Sequence, residues 1–570
     1  MGVLFEEKGT GFEDCPSGVS MTFATRRVEE SMDSTMMSYP LTLAHILERA
    51  GKIFPRVEVV SHLPGRSLHR YTYRDFYTRA RALAGALEHA GLQSGDRVAT
   101  LMWNHSTHLE AYYGIPIAGG IVHTLNLRLP PDDLAFIANH AEDRFLMVDD
   151  VLLPLYEKFK SDTRFERVIV VALTGKPIPP EYQDYEAFLG DFGDDFVYKQ
   201  LDENQGAAMC YTSGTTGKPK GVIYSHRSLV LHSLAIGMTD SLGISERDVI
   251  LPVVPMFHVN AWGIPFLAPM IGAKLVLPGP FLDPGSLLDL FVKERVTCAA
   301  GVPTVWLAIV EALEKQPGVW KVPGGLRLLV GGSAPPESLI RRLDGQGLRL
   351  IHAWGLTEST PVATVSRLMP HMEDWTEDEK YVVRCRQGRP LPFVEVRALG
   401  SKGEVPWDGK TVGEVQLRGP WIASTYYNLP GEQGRWTADG WFRTGDIASI
   451  DSEAYVRISD RAKDLIKSGG EWISSQDLEN ALVAHPAVGE AAVIAVPHPR
   501  WMERPLGVIV LREGCTASAP ELREFLAPKF AKWQLPDAFV FVKEIPRTST
   551  GKMLKSRLRE QFKNWEWQSQ

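Results

Sequence analysis

The chain has 570 residues, 44% hydrophobic and 23% charged, an ordinary globular composition too long for one core, so several domains are expected. A formal net charge of -8 without a long basic block argues against nucleic acid as a partner. Five cysteines, Cys15, Cys210, Cys298, Cys385 and Cys515, lack C-x-x-C spacing, which excludes a disulfide framework and a zinc site and suits a reducing compartment, the cytoplasm.

No stretch reaches the ~18 consecutive apolar residues of a membrane helix. Residues 114–123 are apolar but short and interrupted by glycine. The N-terminus lacks a basic start followed by an apolar run, so no signal peptide is expected. Glu6 breaks the myristoylation pattern, and Trp567-Gln568-Ser569-Gln570 is not a peroxisomal address. Residues 1–38 are polar, with several internal methionines, and are expected to be a poorly ordered leader or the mark of an alternative start.

From Pro40 onward, short apolar runs alternate with longer amphipathic ones. Residues 76–90 read as a helix and 97–102 as a strand. Further strands are expected at 145–148, 168–172, 206–210, 249–254, 274–277, 297–300 and 326–330, with helical patterns between many of them, as at 302–314. Such alternation argues for α/β layers with largely parallel sheets, and continuous apolarity suits strands buried on both faces. After Gly388 the pattern changes: residues 411–418 alternate and turn-rich loops follow, as in a smaller, more antiparallel subdomain. The charged run Ser459-Asp460-Arg461-Ala462-Lys463-Asp464 marks a boundary. Beyond it come strands at 488–496, 507–511 and 539–542, a helix at 520–529 and a basic tail helix, a small α+β domain. The expected fold class is α/β, with a large N-terminal domain over 39–460 carrying a β-rich subdomain and a small C-terminal domain over 461–570.

The most informative stretch is Tyr211-Thr212-Ser213-Gly214-Thr215-Thr216-Gly217-Lys218-Pro219-Lys220-Gly221. It follows the apolar run 206–210 and precedes a helix-compatible segment beginning at His226. Glycine lets backbone N–H groups turn toward one point, where they form an anion-binding nest, and the lysines add fixed positive charge. The loop is expected to wrap the β- and γ-phosphates of a nucleotide. It is not a Walker A loop, because both the spacing and the final hydroxyl fail. Alone, a stretch rich in glycine and threonine would more often be a mobile surface loop.

Further along, Pro255 is placed to open a helix, which would put His258 and Trp262 at i and i+4 on one face. As an isolated pair these read as a core aromatic contact. Gly331-Gly332-Ser333-Ala334-Pro335-Pro336 lies between a strand and a helix, a geometry friendly to nucleotides but weak by itself. His352-Ala353-Trp354-Gly355-Leu356-Thr357-Glu358-Ser359 offers an aromatic face for a purine. Glu358 is an acid that suits Mg²⁺ beside phosphate oxygens. Trp441-Phe442-Arg443-Thr444-Gly445-Asp446 ends in a carboxylate able to accept two donors. In Ile466-Lys467-Ser468-Gly469-Gly470-Glu471-Trp472-Ile473 the glycines leave room for a thin ligand, and Ser474 or Ser475 caps a following helix. Pro546-Arg547-Thr548-Ser549-Thr550-Gly551-Lys552 ends in a compact point charge suited to phosphate.

In this order, from about Leu41 to Arg559, the motifs resemble the adenylate-forming superfamily of acyl-CoA synthetases, luciferases and peptide-synthetase adenylation domains. Within it the chain is most similar to bacterial medium- and long-chain fatty acid–CoA ligases and to methylmercaptopropionate–CoA ligases. The resemblance implies ATP, Mg²⁺ and CoA as cofactors, and a carboxylic acid, a fatty acid foremost, as substrate. It implies that residues 212–220 hold pyrophosphate, that Gly332, Ser333, Ala334, Ala353, Trp354 and Gly355 line the adenine pocket, and that Thr357 contacts the α-phosphate. Glu358, with Thr212, would hold the metal. Asp446 would take the ribose hydroxyls, Arg461 would add a ribose or phosphate contact, and Lys463 would be the pivot of a mobile C-terminal domain. His258, Val259, Trp262 and Gly332 would line the acyl pocket, with Trp262 as its gate. Residues 467–472 would line the pantetheine channel, and Lys552 would catalyse adenylation. The family usually has tyrosine where this chain has Trp354, which removes a hydroxyl from that position. A homodimer is expected by the same resemblance. Other readings are a luciferase-like oxygenase, a carrier-protein loader, a ligase for a short thioether acid, and a non-catalytic binding protein that retains the fold.

Overall fold

The computed structural model describes residues 34–65, 67–190, 192, 196–212, 218–461, 463–468, 471–547 and 553–567. Of the expected leader, all but its last residues lie outside the described ones.

Two large sheets dominate the N-terminal domain. Among the described residues one has nine strands and the other seven. The inner strands of both are parallel, as at Val98 beside Val122 and Leu328 beside Leu350. Their continuous apolar runs are buried on both faces: Phe145, Leu146, Met147 and Val148 are each fully buried. The helix Ser106–Ile117, buried on every side, packs against strands of both sheets. A helix apolar all round belongs in such a place. Its one acid, Glu110, is satisfied by Arg79 at 2.8 Å and by the Tyr185 hydroxyl at 2.6 Å. The neighbouring helix Tyr73–His89 starts from a capping box between Thr72 and Asp75.

After Gly388 the topology becomes antiparallel, as the alternating sequence predicts. A five-stranded sheet contains the strands Glu395–Gly400, Gly413–Arg418, Phe442–Ile450 and Val456–Arg461. The small C-terminal domain follows. Its long antiparallel pair Val488–His498 and Met502–Leu511 is joined by the parallel strand Ala538–Phe541. Alternation buries both faces of this sheet. Val493 and Ile509 pack on the helices Ser475–Val483 and Ala519–Leu526, while Ile494 and Val508 pack with Ile545 and Leu558. Strand and helix positions expected from sequence are thus found, with two exceptions taken up below.

Gly388 joins the antiparallel sheet to the large one: its carbonyl accepts from Val456 N–H at 2.9 Å. Its φ is +90°, and a Cβ there would stand 2.1 Å from the carbonyl carbon of Val365. Gly388→Ala is therefore expected to cost roughly 3 kcal/mol, from left-handed strain and backbone overlap. Gly345→Ala is the control, because a Cβ there meets nothing. Urea midpoints of the two variants check this: a large drop for the first and little change for the second.

Candidate active site

The loop expected to hold phosphate does not run from strand to helix. It turns between the antiparallel strands Gly206–Tyr211 and Gly221–Ser225, and the helix His226–Gly237 begins only after the second strand. The sequence reading missed this strand because Gly221-Val222-Ile223-Tyr224-Ser225 is short and runs directly into the helix. The hairpin closes the loop at its base. Thr212 N–H donates to the Lys220 carbonyl at 2.9 Å, and Lys220 N–H donates to Thr212 Oγ1 at 3.1 Å. Ser213, Gly214, Thr215, Thr216 and Gly217 lie outside the described residues. Lys218 Nζ stands 4.7 Å from the centre of the Phe136 ring, and Lys220 Nζ bonds Glu432 at 2.6 Å.

The second correction concerns residues 255–262. No regular helix starts at Pro255. Val259, Asn260, Ala261 and Trp262 all have left-handed φ, between +43° and +59°, and the α-helix begins at Ile264. His258 and Trp262 therefore do not share a helical face. Four consecutive non-glycine residues in this region are strained. Asn260, almost fully buried, ties the turn down by accepting from Cys210 Sγ at 3.5 Å and from the Tyr112 hydroxyl at 3.2 Å. The Trp262 ring lies over Gly331, where a Cβ would approach it to 3.2 Å. A side chain at 331 would push the ring away.

His258, Val259 and Trp262 nevertheless line one cavity with Thr212, Lys218, Lys220, Gly332, Ala353, Trp354, Gly355, Thr357, Glu358 and Arg461. Residues about 250 apart in sequence meet there because the hairpin, the left-handed turn and the end of the strand Arg349–Gly355 converge. Gly355 permits the closest approach: a Cβ would overlap the Pro361 carbonyl. The cavity shares Gly332, Ala353, Trp354, Gly355 and Arg461 with a cleft of about 680 Å³ between the domains, which Ser333, Ala334 and Asp446 also line.

Asp446, 2% exposed, sits at the junction. It accepts from the Trp354 indole N–H at 3.2 Å and pairs with Arg461 at 3.0 Å. The indole thus supplies a donor in the position whose tyrosine hydroxyl is missing. Glu358 is buried to 7% exposure and accepts from the Tyr426 hydroxyl. Burial, then the Glu358 carboxylate, holds the Tyr426 phenol far above its ordinary pKa and keeps it a donor. No cluster of three or more metal-ligating side chains occurs among the described residues. A carboxylate on a cavity wall that Thr212 also lines fits Mg²⁺, which takes one or two carboxylates and completes its shell with phosphate and water.

Sequence reasoning missed Tyr426 and Arg435, which complete the cavity wall. Tyr426 lies in no glycine or charge motif, so only its long-range contacts reveal it. Lys463, Lys467, Ser468, Glu471 and Trp472 line neither cavity. Residues 466–468 and 471–473 pair as antiparallel strands, with Lys467 over the exposed Trp472 ring. Gly469, Gly470 and Lys552 lie outside the described residues. Arg547 and Met553, which flank the segment carrying Lys552, form a β-bridge and line the interdomain cleft.

Asp446→Asn is expected to raise the KM for ATP roughly ten- to a hundredfold, since it removes a charge-assisted partner from the cleft. Trp354→Phe, which keeps the ring and deletes one N–H, should raise it less. Steady-state kinetics with ATP varied at saturating acid check both.

Two family models match the chain: AMP-binding enzyme over residues 29–427 and AMP-binding enzyme C-terminal domain over 477–552. A long-chain-fatty-acid–CoA ligase of Thermus thermophilus is 52% identical over 93% of this chain and 97% of its own. A medium-chain-fatty-acid–CoA ligase of Ectopseudomonas oleovorans is 44% identical over 92% of this chain and 97% of its own. Among solved structures, an anthranilate CoA ligase in complex with anthranoyl-AMP shares the fold with a TM-score of 0.82, at 24% identity, over 93% of this chain and 99% of that one. The chain belongs to the AMP-binding enzyme family.

Proposed function

We propose that this protein, an ATP-dependent acid–CoA ligase that forms an acyl-adenylate and releases AMP and pyrophosphate, takes medium- to long-chain fatty acids. The observation that carries the reading is the convergence of Trp354, Thr357, Glu358 and Arg461 with His258 and Trp262 on one cavity. A nucleotide site and an apolar wall meet there. Similarity to the fatty acid–CoA ligases supports the choice of acid.

The chemistry brings two anions together, a carboxylate and a triphosphate, so the chief barrier is electrostatic. Lys218, Lys220, Arg435 and Arg461 supply positive charge around the cavity. Asp446 would accept the ribose hydroxyls, with Arg461 alongside, and so fix the nucleotide. Thr357 would orient the α-phosphate for in-line attack, and His258 would face the incoming carboxylate. Mg²⁺ bound at Glu358 would neutralise phosphate charge. Tyr426 keeps that carboxylate aimed into the cavity. Lys552 would stabilise charge on the α-phosphate and carboxylate oxygens. For the second half-reaction we assign the domain boundary to residues 460 and 461, with the pivot at Lys463. Rotation there would withdraw Lys552 and bring residues 467–472 to the cavity, where the CoA thiol attacks the mixed anhydride and AMP leaves. Residence in the cytoplasm and a homodimeric state complete the proposal. Among the described residues, no helix is long and apolar enough to cross a membrane.

AMP release measured with CoA and carboxylic acids of increasing length tests the substrate. The expected optimum lies between octanoate and palmitate. A maximum at acetate, or at methylmercaptopropionate, would overturn the fatty acid assignment. Trp262→Ala should alter the dependence of KM on acyl length. Lys552→Ala should slow adenylate formation by ~10²-fold, the scale of one lost charge-stabilising donor, yet spare thioester formation from supplied acyl-adenylate. Equal loss in both halves would refute that division of roles.

A further inference from the structure

The charged run 459–464 is not simply a solvated linker. Asp460 is 3% exposed, and its carboxylate reaches across the proposed pivot to the first helix of the small domain, Ser475–Val483. Its Oδ2 accepts from Ser475 N–H at 2.7 Å and from the Ser475 hydroxyl. Its Oδ1 accepts from Arg461 N–H at 2.8 Å. The preceding residue joins in: Ser474 Oγ donates to the Ser459 carbonyl at 2.5 Å while accepting from Asp477 N–H at 3.0 Å. Lys555 Nζ, largely buried, donates to Ser475 Oγ at 2.6 Å and pairs with Glu479 at 2.7 Å. Arg457 and Asp477 add a looser contact across the same line, at 3.6 Å. Asp464 pairs with Arg559 at 2.6 Å, on the small-domain side alone.

These contacts fall into two sets. Lys555 with Glu479, and Arg559 with Asp464, lie wholly beyond residue 463 and travel with the small domain. Asp460 with Ser475, and Ser459 with Ser474, cross residue 463 and must break when the domain turns about it. A carboxylate at a helix N-terminus satisfies an otherwise orphaned N–H and opposes the positive end of the dipole. Here the helix has its own Ser474 cap, and the Ser475 N–H is satisfied by a carboxylate lent from the other domain. In the orientation seen, Arg547 and Met553 line the nucleotide cleft, whereas the described residues of 466–473 do not.

We propose that Asp460 is a positioning residue, a latch that holds the small domain in the orientation that forms the adenylate by accepting from Ser475 at the start of that helix. Turning the domain takes the Asp460 carboxylate from the Ser475 N–H, leaves the helix its own Ser474 cap, and leaves Lys555 paired with Glu479. The inference rests on the two-half-reaction reading above, and the test keeps their failures apart. The two steps are measured separately on full-length wild type, Asp460→Asn and Ser475→Ala: carboxylate-dependent ATP–pyrophosphate exchange, and thioester formation from supplied acyl-adenylate and CoA. The latch predicts that exchange falls about tenfold in both variants while thioester formation stays within about twofold or rises. It also predicts faster tryptic cleavage after Lys463, as the freed domain exposes the joint. Equal loss of both steps, or no change in either, overturns the latch. Wild type that performs neither step overturns the functional reading instead.

Discussion

One buried carboxylate organises the site. Asp446 belongs to the antiparallel sheet, Trp354 to the end of a parallel strand of the large sheet, and Arg461 to the last strand before the small domain. An acid at 2% exposure is costly unless donors surround it, and the indole N–H and the guanidinium are those donors. The need to satisfy this charge fixes how two sheets meet and where the chain leaves for the small domain. It also leaves a carboxylate lining the cleft, the group proposed above to take a nucleotide's ribose hydroxyls.

The surroundings follow the same logic of paired charge. Glu358 is tied to Tyr426, and Lys220 to Glu432. Partners within the chain thus hold these two polar groups of the cavity wall in place. The strained turn at 259–262 belongs to this preorganisation. Its cost is offset by the buried bonds that Asn260 Oδ1 accepts from Tyr112 and Cys210, so the backbone carries His258 and Trp262 to the cavity in a shape no regular helix could give.

Much of the architecture was legible in the sequence because it rests on local signals. Continuous apolar runs marked the parallel strands, alternation marked the antiparallel sheet after Gly388, and the glycines at 331 and 332 marked a turn at the cavity wall. What escaped depends on contacts distant in sequence. The strand Gly221–Ser225 could not be told from the start of the helix that follows it without its partner Gly206–Tyr211. The left-handed turn could not be read because Val, Ala and Trp do not ordinarily take positive φ, and the contacts that hold Asn260 come from residues distant in sequence. Tyr426 and Arg435 carry no motif, and the indole of Trp354 disclosed its donor role only through Asp446.

The left-handed turn has an evolutionary corollary. A β-branched residue at φ +43°, as at Val259, is a poor intrinsic fit, so the tryptophan three positions later is held by tension rather than by preference. Exchanging Ala261 for glycine would slacken that tension without removing a side chain from the cavity wall. On the gating role proposed for Trp262, descendants of such a protein would drift in the length of tail they admit through backbone changes that leave the cavity wall unaltered.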